Sequence, residues 1–93
     1  MSDAKLSRNV TVTNPEGLHV RPCDLIQKLA RGFSATVEIV CGRERVDAKS
    51  ILSLLSIAAS APRGTQLTIE AAGTDANEAL NAVAELFARN FDE

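Results

Sequence analysis

The chain has 93 residues, which corresponds to one small domain because domains usually hold roughly 100 to 200 residues. Its 10 Lys and Arg and 12 Asp and Glu residues give a net charge of -2, and only 3% of the residues are aromatic. Nucleic-acid binding through a basic face with aromatic stacking platforms is therefore not expected. No stretch approaches the roughly 18 apolar residues of a membrane span, so membrane insertion is not expected either.

The start of the chain and its cysteines indicate a cytoplasmic protein with reduced thiols. The first five residues are polar and lack the apolar segment of a signal peptide. Cys23 and Cys41 are too few for a disulfide scaffold, and with a single histidine in the chain they lack the spacing of a zinc site. We expect a protein that holds no metal and no other cofactor.

Strand-like alternation opens the chain, and helical periodicity follows it. Residues 6–13 alternate apolar and polar side chains, which predicts a strand, and a turn follows at 14–17. Residues 20–31 place apolar side chains on one helical stripe, with Gly32 as the C-terminal cap. Pro22 is tolerated only in the first turn of a helix, so the helix must begin close to His19.

The middle of the chain predicts a hairpin followed by a short helix. Residues 35–41 alternate as a second strand, a turn follows at 42–43, and a third strand covers 44–47. Residues 50–55 predict a helix with Ser50 as its N-cap. The apolar character of this helix runs almost all the way round, which indicates a docking face.

The last third predicts a fourth strand and a final helix. Residues 67–71 alternate after a break at 62–64. Thr74 or Asp75 caps the final helix, and Asp75 and Glu78 have the spacing of a capping box. The apolar stripe of this helix comprises Leu80, Val83, Ala84, Phe87 and Phe91.

The element order is β-α-β-β-α-β-α, and no linker or repeat interrupts it. Half-apolar strands together with amphipathic helices predict an α+β fold. We expect one domain over residues 1–93, with a structured core at 6–91. Its architecture is an open-faced β-sandwich, in which three helices cover one face of a four-stranded antiparallel sheet.

His19 is the candidate functional residue because histidine titrates near neutral pH. A lone histidine is more often structural than catalytic, but this one stands at a helix N-terminus, two residues before Arg21. Such an N-terminus offers free amides and a partial positive charge to a phosphate, and it disfavours the imidazolium form. Arg21 can fork two phosphate oxygens, and Gly17 lets the backbone turn tightly behind the ring. No nucleophile and acid partner of a hydrolase lies nearby in the sequence, so the residues predict a phosphorylatable histidine.

Residues 17–22, Gly-Leu-His-Val-Arg-Pro, resemble the active-site signature of the HPr family. These are the histidine-containing phosphocarriers of the bacterial phosphoenolpyruvate-dependent phosphotransferase system. The segments 49–52, 64–69 and 72–80 extend the resemblance, which covers roughly residues 6 to 91. It implies that Enzyme I passes a phosphoryl group to Nδ1 of His19, which hands it to a IIA-type acceptor protein. It also implies a monomer, and a phosphotransfer protein rather than a self-sufficient enzyme.

The resemblance implies roles for the residues that flank His19. Arg21 and the amides of the first helical turn, beginning at Val20, would hold the phosphate. Pro22 would fix the start of the helix. Gly17 would supply the turn before it.

A second segment of the resemblance surrounds Ser50, which resembles the residue that HPr kinase/phosphorylase modifies in some bacteria. The alternative is that Ser50 is only an N-cap. The family's docking patch would comprise Lys49, Ile51, Leu52 and Leu55. Each apolar member could instead be ordinary core, and the lysine could simply be solvated.

Four features depart from the family pattern and bear on the choice of partner. Val20 and Cys23 stand where the family commonly has alanine, Ser53 replaces a common glycine, and residues 61–63 lengthen a loop. Cys23 is either a reactive thiol or a small buried hydrophobic residue. The alternative function is a regulatory binding module that acts through the serine site and the docking patch, although such members lack the histidine. A third possibility is a carrier that serves a nitrogen-related branch instead of sugar uptake.

Overall fold

Three helices cover one face of a four-stranded antiparallel sheet in the computed structural model, which describes residues 5–93. The order β-α-β-β-α-β-α and the α+β class expected from the sequence are confirmed. The elements are β1 (Leu6–Thr11), α1 (Val20–Ala30), β2 (Thr36–Cys41), β3 (Glu44–Asp47), α2 (Ile51–Ala58), β4 (Gln66–Ala72) and α3 (Ala76–Ala88), and a short 3-10 turn (Asn90–Asp92) follows α3.

The sheet has the strand order β1-β4-β2-β3. At its centre β2 pairs with β4, so that Val37 lies opposite Ala71 and both are buried. The neighbouring pair, Glu38 opposite Glu70, lies on the other face of the sheet and is partly exposed. This alternation confirms the period of two in the sequence, because only one face of the sheet is covered by helices.

The helices pack on the sheet and on one another. Helix α3 lies against β1 and β4, while α1 contacts both α2 and α3. Each helix contributes fully buried side chains, among them Ile26, Leu54 and Val83. Because α1 is held by two neighbouring helices, the position of its first residue is fixed relative to the rest of the fold.

Two element boundaries differ by two or more residues from those expected. Strand β1 ends at Thr11, because Val12 turns inward and exchanges hydrogen bonds with the segment before β4. Its N–H donates to the Thr65 carbonyl at 2.9 Å, and its own carbonyl accepts from the Gly64 N–H at 2.7 Å. Helix α2 extends to Ala58 instead of ending at residue 55, since its last turn places Ile57 in the core with no exposure.

Two expectations about helix ends are wrong. Arg31 is the C-cap of α1, and Gly32 does not adopt the left-handed conformation of a glycine cap. Phe91 lies beyond the end of α3, in a turn where Asn90, Phe91 and Asp92 have φ values of 57°, 55° and 59°. The Phe91 ring is nevertheless buried and packs edge-on against Phe87, at 4.8 Å between centroids.

The capping box expected at the start of α3 does not form. Asp75 is the N-cap, but its side chain makes no capping hydrogen bond. Its carboxylate instead accepts the backbone N–H groups of Ser34 at 2.9 Å and Ala35 at 2.7 Å, which ties α3 to the loop between α1 and β2. The bond from Ser34, with that from Ala35, holds the pKa of Asp75 below its usual range.

We predict that Asp75→Ala lowers the free energy of unfolding more than Glu78→Ala, because only Asp75 bonds the distant loop. A carboxyl whose pKa is lowered by folding stabilises the protein above its unfolded pKa of about 3.9 and loses that contribution as the pH falls through the folded pKa. The difference between wild type and Asp75→Ala should therefore shrink in acid. Urea unfolding at neutral and acid pH measures these free energies of unfolding. If Asp75→Ala and Glu78→Ala lost equal amounts of unfolding free energy, the capping-box interpretation would be restored.

Candidate functional site

His19 is the N-cap of α1, as Pro22 in the first turn predicted. Its backbone is extended, with φ -114° and ψ -167°, and its side chain makes no capping hydrogen bond. The amides of Val20 and Arg21 lie in the first turn and have no intrahelical acceptor. The imidazole and these two donors therefore stand together at the positive end of the helix.

A tight turn before α1 presents His19. Gly17 has a φ of 72°, and its N–H donates to the Asn14 carbonyl at 2.9 Å. The Leu18 N–H donates to the carbonyl of Ala61, also at 2.9 Å. A Cβ on Gly17 would lie 2.8 Å from that carbonyl oxygen and 2.9 Å from Cα of Pro62. The longer loop noted in the sequence thus packs directly against the turn that carries the histidine.

The two ring nitrogens of His19 have different surroundings. The side chain is 32% exposed, but Nε2 is enclosed and makes no aligned hydrogen bond. Its nearest acceptors are Oε2 of Glu93 at 3.0 Å and Oε1 of Glu16 at 3.7 Å. Nδ1 has no hydrogen bond to any of residues 5–93 and is not enclosed. The ring therefore offers Nδ1, and not Nε2, to an incoming group.

Arg21 contacts the end of the chain. Its Nη1 donates to the Phe91 carbonyl at 2.8 Å and lies 3.5 Å from Oε2 of Glu93. The side chain remains half-exposed. The guanidinium is thus held beside the histidine by bonds to the last turn, and not by any contact within α1.

Sequence reasoning missed Asn14 and Glu93, which the fold brings to His19. Asn14 is fully buried, and its Nδ2 donates to the Gly17 carbonyl at 2.7 Å and to Oε1 of Glu93 at 3.2 Å. Its Oδ1 has no partner within residues 5–93, and a buried acceptor without a partner costs about 1–3 kcal/mol. In the sequence Asn14 was only part of a turn signal, and Glu93 carried no local signal at all.

At the start of α2, Ser50 caps the helix as expected, and the side chain of Lys49 is hydrogen-bonded. Ser50 is the N-cap, and its Oγ accepts the Ser53 N–H at 3.2 Å. Lys49 donates its Nζ to the Phe33 carbonyl at 2.8 Å. The lysine is therefore tied to the loop after α1, which weakens the expectation that it serves in docking.

Two large apolar side chains of the described chain are well exposed, Val20 at 64% and Leu52 at 78%. Ile51 and Leu55 are half-buried and pack against the core. We call Ile51, Leu52 and Leu55, the apolar members of the expected docking patch, the docking surface. Leu52 is its most exposed member, and core packing does not explain that exposure.

Cys23 follows the first turn of α1 and is fully buried. Burial raises the pKa of its thiol to about 11, so at neutral pH it is protonated and packs as a small hydrophobic residue. Within residues 5–93 no group of side chains has the arrangement of a metal site. None of the helices in that range is long and apolar enough to cross a membrane.

Comparison with known proteins identifies the class to which this fold and site belong. Residues 6–89 match the family model PTS-HPr, described as the PTS HPr component phosphorylation site. The chain is 38% identical over 89 residues to the phosphocarrier protein NPr of Shewanella violacea, covering 96% of each. It is 36% identical over 88 residues to the phosphocarrier protein HPr of Cupriavidus necator, covering 95% of this chain and 97% of that protein.

Solved structures agree with this result. HPr-C-His from Thermoanaerobacter tengcongensis superposes with a TM-score of 0.88 at 30% identity, covering 95% of this chain and 97% of that one. HPr from Bacillus anthracis superposes with a TM-score of 0.83 at 34% identity, covering 90% of this chain and 98% of that one. The class is therefore that of a small phosphoryl carrier with the open-faced sandwich fold. Within it, the chain belongs to the HPr family of the phosphotransferase system and is a phosphocarrier.

One relative is much longer than this chain. The chain is 37% identical over 94 residues to DhaM, the phosphoryl donor subunit of the PEP-dependent dihydroxyacetone kinase of Providencia stuartii. The match covers 99% of this chain but only 19% of that protein. The same kind of domain thus occurs both alone and as part of a larger phosphoryl donor.

We predict that Gly17→Ala is more destabilising than Gly42→Ala. Both glycines have positive φ, where a side chain costs about 1–2 kcal/mol. A Cβ on Gly42 would meet nothing within 4 Å, whereas one on Gly17 would strike the backbone of residues 61–62. Urea unfolding of the two variants isolates the cost of the clash. If both variants lost the same unfolding free energy, residues 61–62 would have moved aside at no cost, and the loop would not hold the turn.

Proposed function

We propose that His19 carries the phosphoryl group of this phosphocarrier and that Nδ1 is the bonding atom. The observation that carries the proposal is the accessible Nδ1 of a half-exposed histidine, placed at a helix N-terminus beside Arg21. The lone pair of Nδ1 attacks phosphorus as the bond between phosphorus and the donor atom breaks. The electron pair of that bond returns to the donor. In the second step a nucleophile of the acceptor protein attacks phosphorus, and the electron pair of the N–P bond returns to Nδ1.

The surrounding groups bind the phosphoryl oxygens and form no bond to phosphorus. The free amides of Val20 and Arg21 supply two donors, and the helix dipole favours the added negative charge. Arg21 supplies a fixed cation, for which it must exchange its bond to the Phe91 carbonyl for one to phosphate. Pro22 and Gly17 keep the helix start and the turn in place.

The donor in this proposal is Enzyme I, charged by phosphoenolpyruvate, and the acceptor is a IIA-type protein. The docking surface, with Leu52 as its most exposed member, lies on α2, whose N-cap is the second phosphorylation candidate, Ser50. A monomer that diffuses between donor and acceptor in the cytoplasm fits this role. The acceptor belongs either to sugar uptake or to a nitrogen-related branch.

We predict that His19→Ala abolishes labelling from phosphoenolpyruvate and Enzyme I, while the fold is retained. His19 is the only histidine of the chain, so no second imidazole can substitute for it. Intact mass and the acid lability of the adduct measure the outcome. Labelling that persists in folded His19→Ala would refute the assignment.

Arg21→Ala should slow transfer without abolishing it, because the first-turn amides remain. A hydrogen bond to a charged group contributes about 1.5–3 kcal/mol, which corresponds to a loss of roughly 10- to 100-fold in rate. Arg31→Ala is the matched control, since it removes the same charge at the opposite end of α1, where Nε bonds the Lys49 carbonyl. Equal rates for the two variants would exclude a phosphate-binding role for Arg21.

Ser50 is the second phosphorylation candidate, and we propose that HPr kinase/phosphorylase modifies it where the host has that enzyme. Its Oγ already lies at the N-terminus of α2, where a phosphate is favourable. Modification would add about 1.5 to 2 negative charges beside Leu52. A regulatory binding module that acts through this serine is the alternative function, and both roles are compatible in one chain.

We predict that Ser50→Asp slows labelling of His19 by Enzyme I more than Ser56→Asp does. Ser56 is an exposed serine of the same helix, so its variant adds the same charge farther from the helix start. Ser50→Ala should abolish ATP-dependent labelling by the kinase and cost about 1 kcal/mol of stability through loss of the N-cap. Kinase labelling that survives in Ser50→Ala would place the modified residue elsewhere.

A further inference from the structure

The enclosed Nε2 of His19 lies close to two carboxylates. No hydrogen-bond donor among residues 5–93 bonds this atom. Glu93 approaches Nε2 to 3.0 Å and Glu16 to 3.7 Å. An ionised carboxylate only accepts hydrogen bonds. If the neutral ring carried its proton on Nδ1, the Nε2 lone pair would lie close to these negative oxygens and be repelled. If the proton is on Nε2, the same oxygens attract it.

Glu93 is the carboxylate that acts more strongly on Nε2, because it lies closer to that atom and is held in place. Its side chain is 23% exposed, whereas that of Glu16 is 80% exposed and is screened by solvent. Arg21 lies 3.5 Å from Oε2, and the amide of Asn14 donates to Oε1 at 3.2 Å. The carboxylate is thus oriented from both sides while Oε2 remains beside the ring.

Asn14 connects Glu93 to the turn that presents His19. Its amide group donates simultaneously to Glu93 and, at 2.7 Å, to the Gly17 carbonyl. Both partners are acceptors, so the orientation of the amide is settled by its surroundings. The residue is fully buried and leaves its own Oδ1 without a partner in the described chain. The two bonds that the amide donates, to Gly17 and to Glu93, therefore come with the cost of one unpaired buried oxygen.

We infer that Asn14 and Glu93 are positioning residues that keep the neutral imidazole of His19 in its Nε2–H tautomer. This tautomer leaves the lone pair on Nδ1, the accessible nitrogen. When Nδ1 bonds phosphorus, the proton stays on Nε2 and the ring gains one positive charge, which the Glu93 carboxylate offsets. When the phosphoryl group leaves, the electron pair of the N–P bond returns to Nδ1 and the ring is neutral again. The inference deepens the proposed function and rests on it.

The test is the tautomer of His19, read from long-range ¹H–¹⁵N correlation spectra of the ¹⁵N-labelled full chain at a pH where the imidazole is neutral. The wild type should be almost wholly in the Nε2–H form. In Glu93→Gln and Asn14→Ala the spectrum should shift toward the mixture that an unconstrained histidine gives. Asp92→Asn is the matched control, because it removes a carboxylate from the same turn that pairs with Arg89 and not with His19. It should retain the wild-type spectrum.

The rate of labelling by Enzyme I gives a second readout. Loss of an outer-shell partner that orients a metal-bound histidine typically costs roughly 10- to 100-fold. By analogy with the low end of that range, Glu93→Gln should transfer about tenfold more slowly than Asp92→Asn. Glu93→Asp, which keeps the charge but shortens the side chain, should fall between them. Should Asn14→Ala fail to fold, Glu93→Gln decides the question, since Glu93 lies at the surface.

The two readouts separate the inference from the proposed function. An unchanged tautomer in Glu93→Gln overturns the inference, even if the wild type is labelled normally. A wild type in the Nε2–H form that Enzyme I cannot label overturns the proposed function, because the spectrum requires no partner protein. A tautomer shift without any change in rate would support the tautomer assignment, but would overturn the expectation that this positioning speeds phosphoryl transfer.

Discussion

The close approach of the turn at Gly17 to the backbone of residues 61–62 is the constraint on which the rest of the site depends. The Leu18 N–H bonds the Ala61 carbonyl at 2.9 Å, and the space beside Gly17 does not admit a Cβ. This contact fixes where the chain enters α1, and Pro22 then prevents the helix from starting earlier. The backbone orientation of His19 and the two free amides follow from that entry point, whereas the guanidinium of Arg21 is held by its bonds to the last turn.

The last turn of the chain completes the site at a conformational cost. Three successive residues, Asn90 to Asp92, adopt the left-handed conformation, which costs about 1–2 kcal/mol for each residue with a side chain. Burial of the Phe91 ring against Phe87 and the bond from Arg21 to the Phe91 carbonyl offset part of this cost. The turn places Glu93 beside His19 and bonds the Arg21 side chain through the Phe91 carbonyl.

The surroundings of His19 and the exposed side chain of Leu52 lie at the starts of two different helices. His19 and Arg21 stand at the N-terminus of α1, whereas Leu52 follows Ser50, the N-cap of α2. Curated relatives of the chain bear the names HPr, NPr and DhaM. Of the features that depart from the family pattern, Val20 lies between His19 and Arg21, Ser53 lies on α2, and the longer loop packs against the turn at Gly17.

The sequence by itself determined the element order, the one-sided burial of the sheet and the start of α1 at His19. These features follow from local patterns, namely a period of two in strands, a helical stripe, and a proline that must lie in a first turn. The pair His19 and Arg21 was predictable for the same reason, because both residues belong to one turn of one helix.

Only the tertiary structure decided what surrounds that pair. Asn14 and Glu93 meet through the folded core from opposite ends of the chain, and Asp75 bonds a distant loop where a local capping box was expected. The boundaries of β1 and α2 likewise differ from those expected, because Val12 and Ile57 are buried in the core. Local periodicity reports which face of an element is apolar. It holds no information about which distant backbone or side-chain groups will come within hydrogen-bonding distance when those faces pack together.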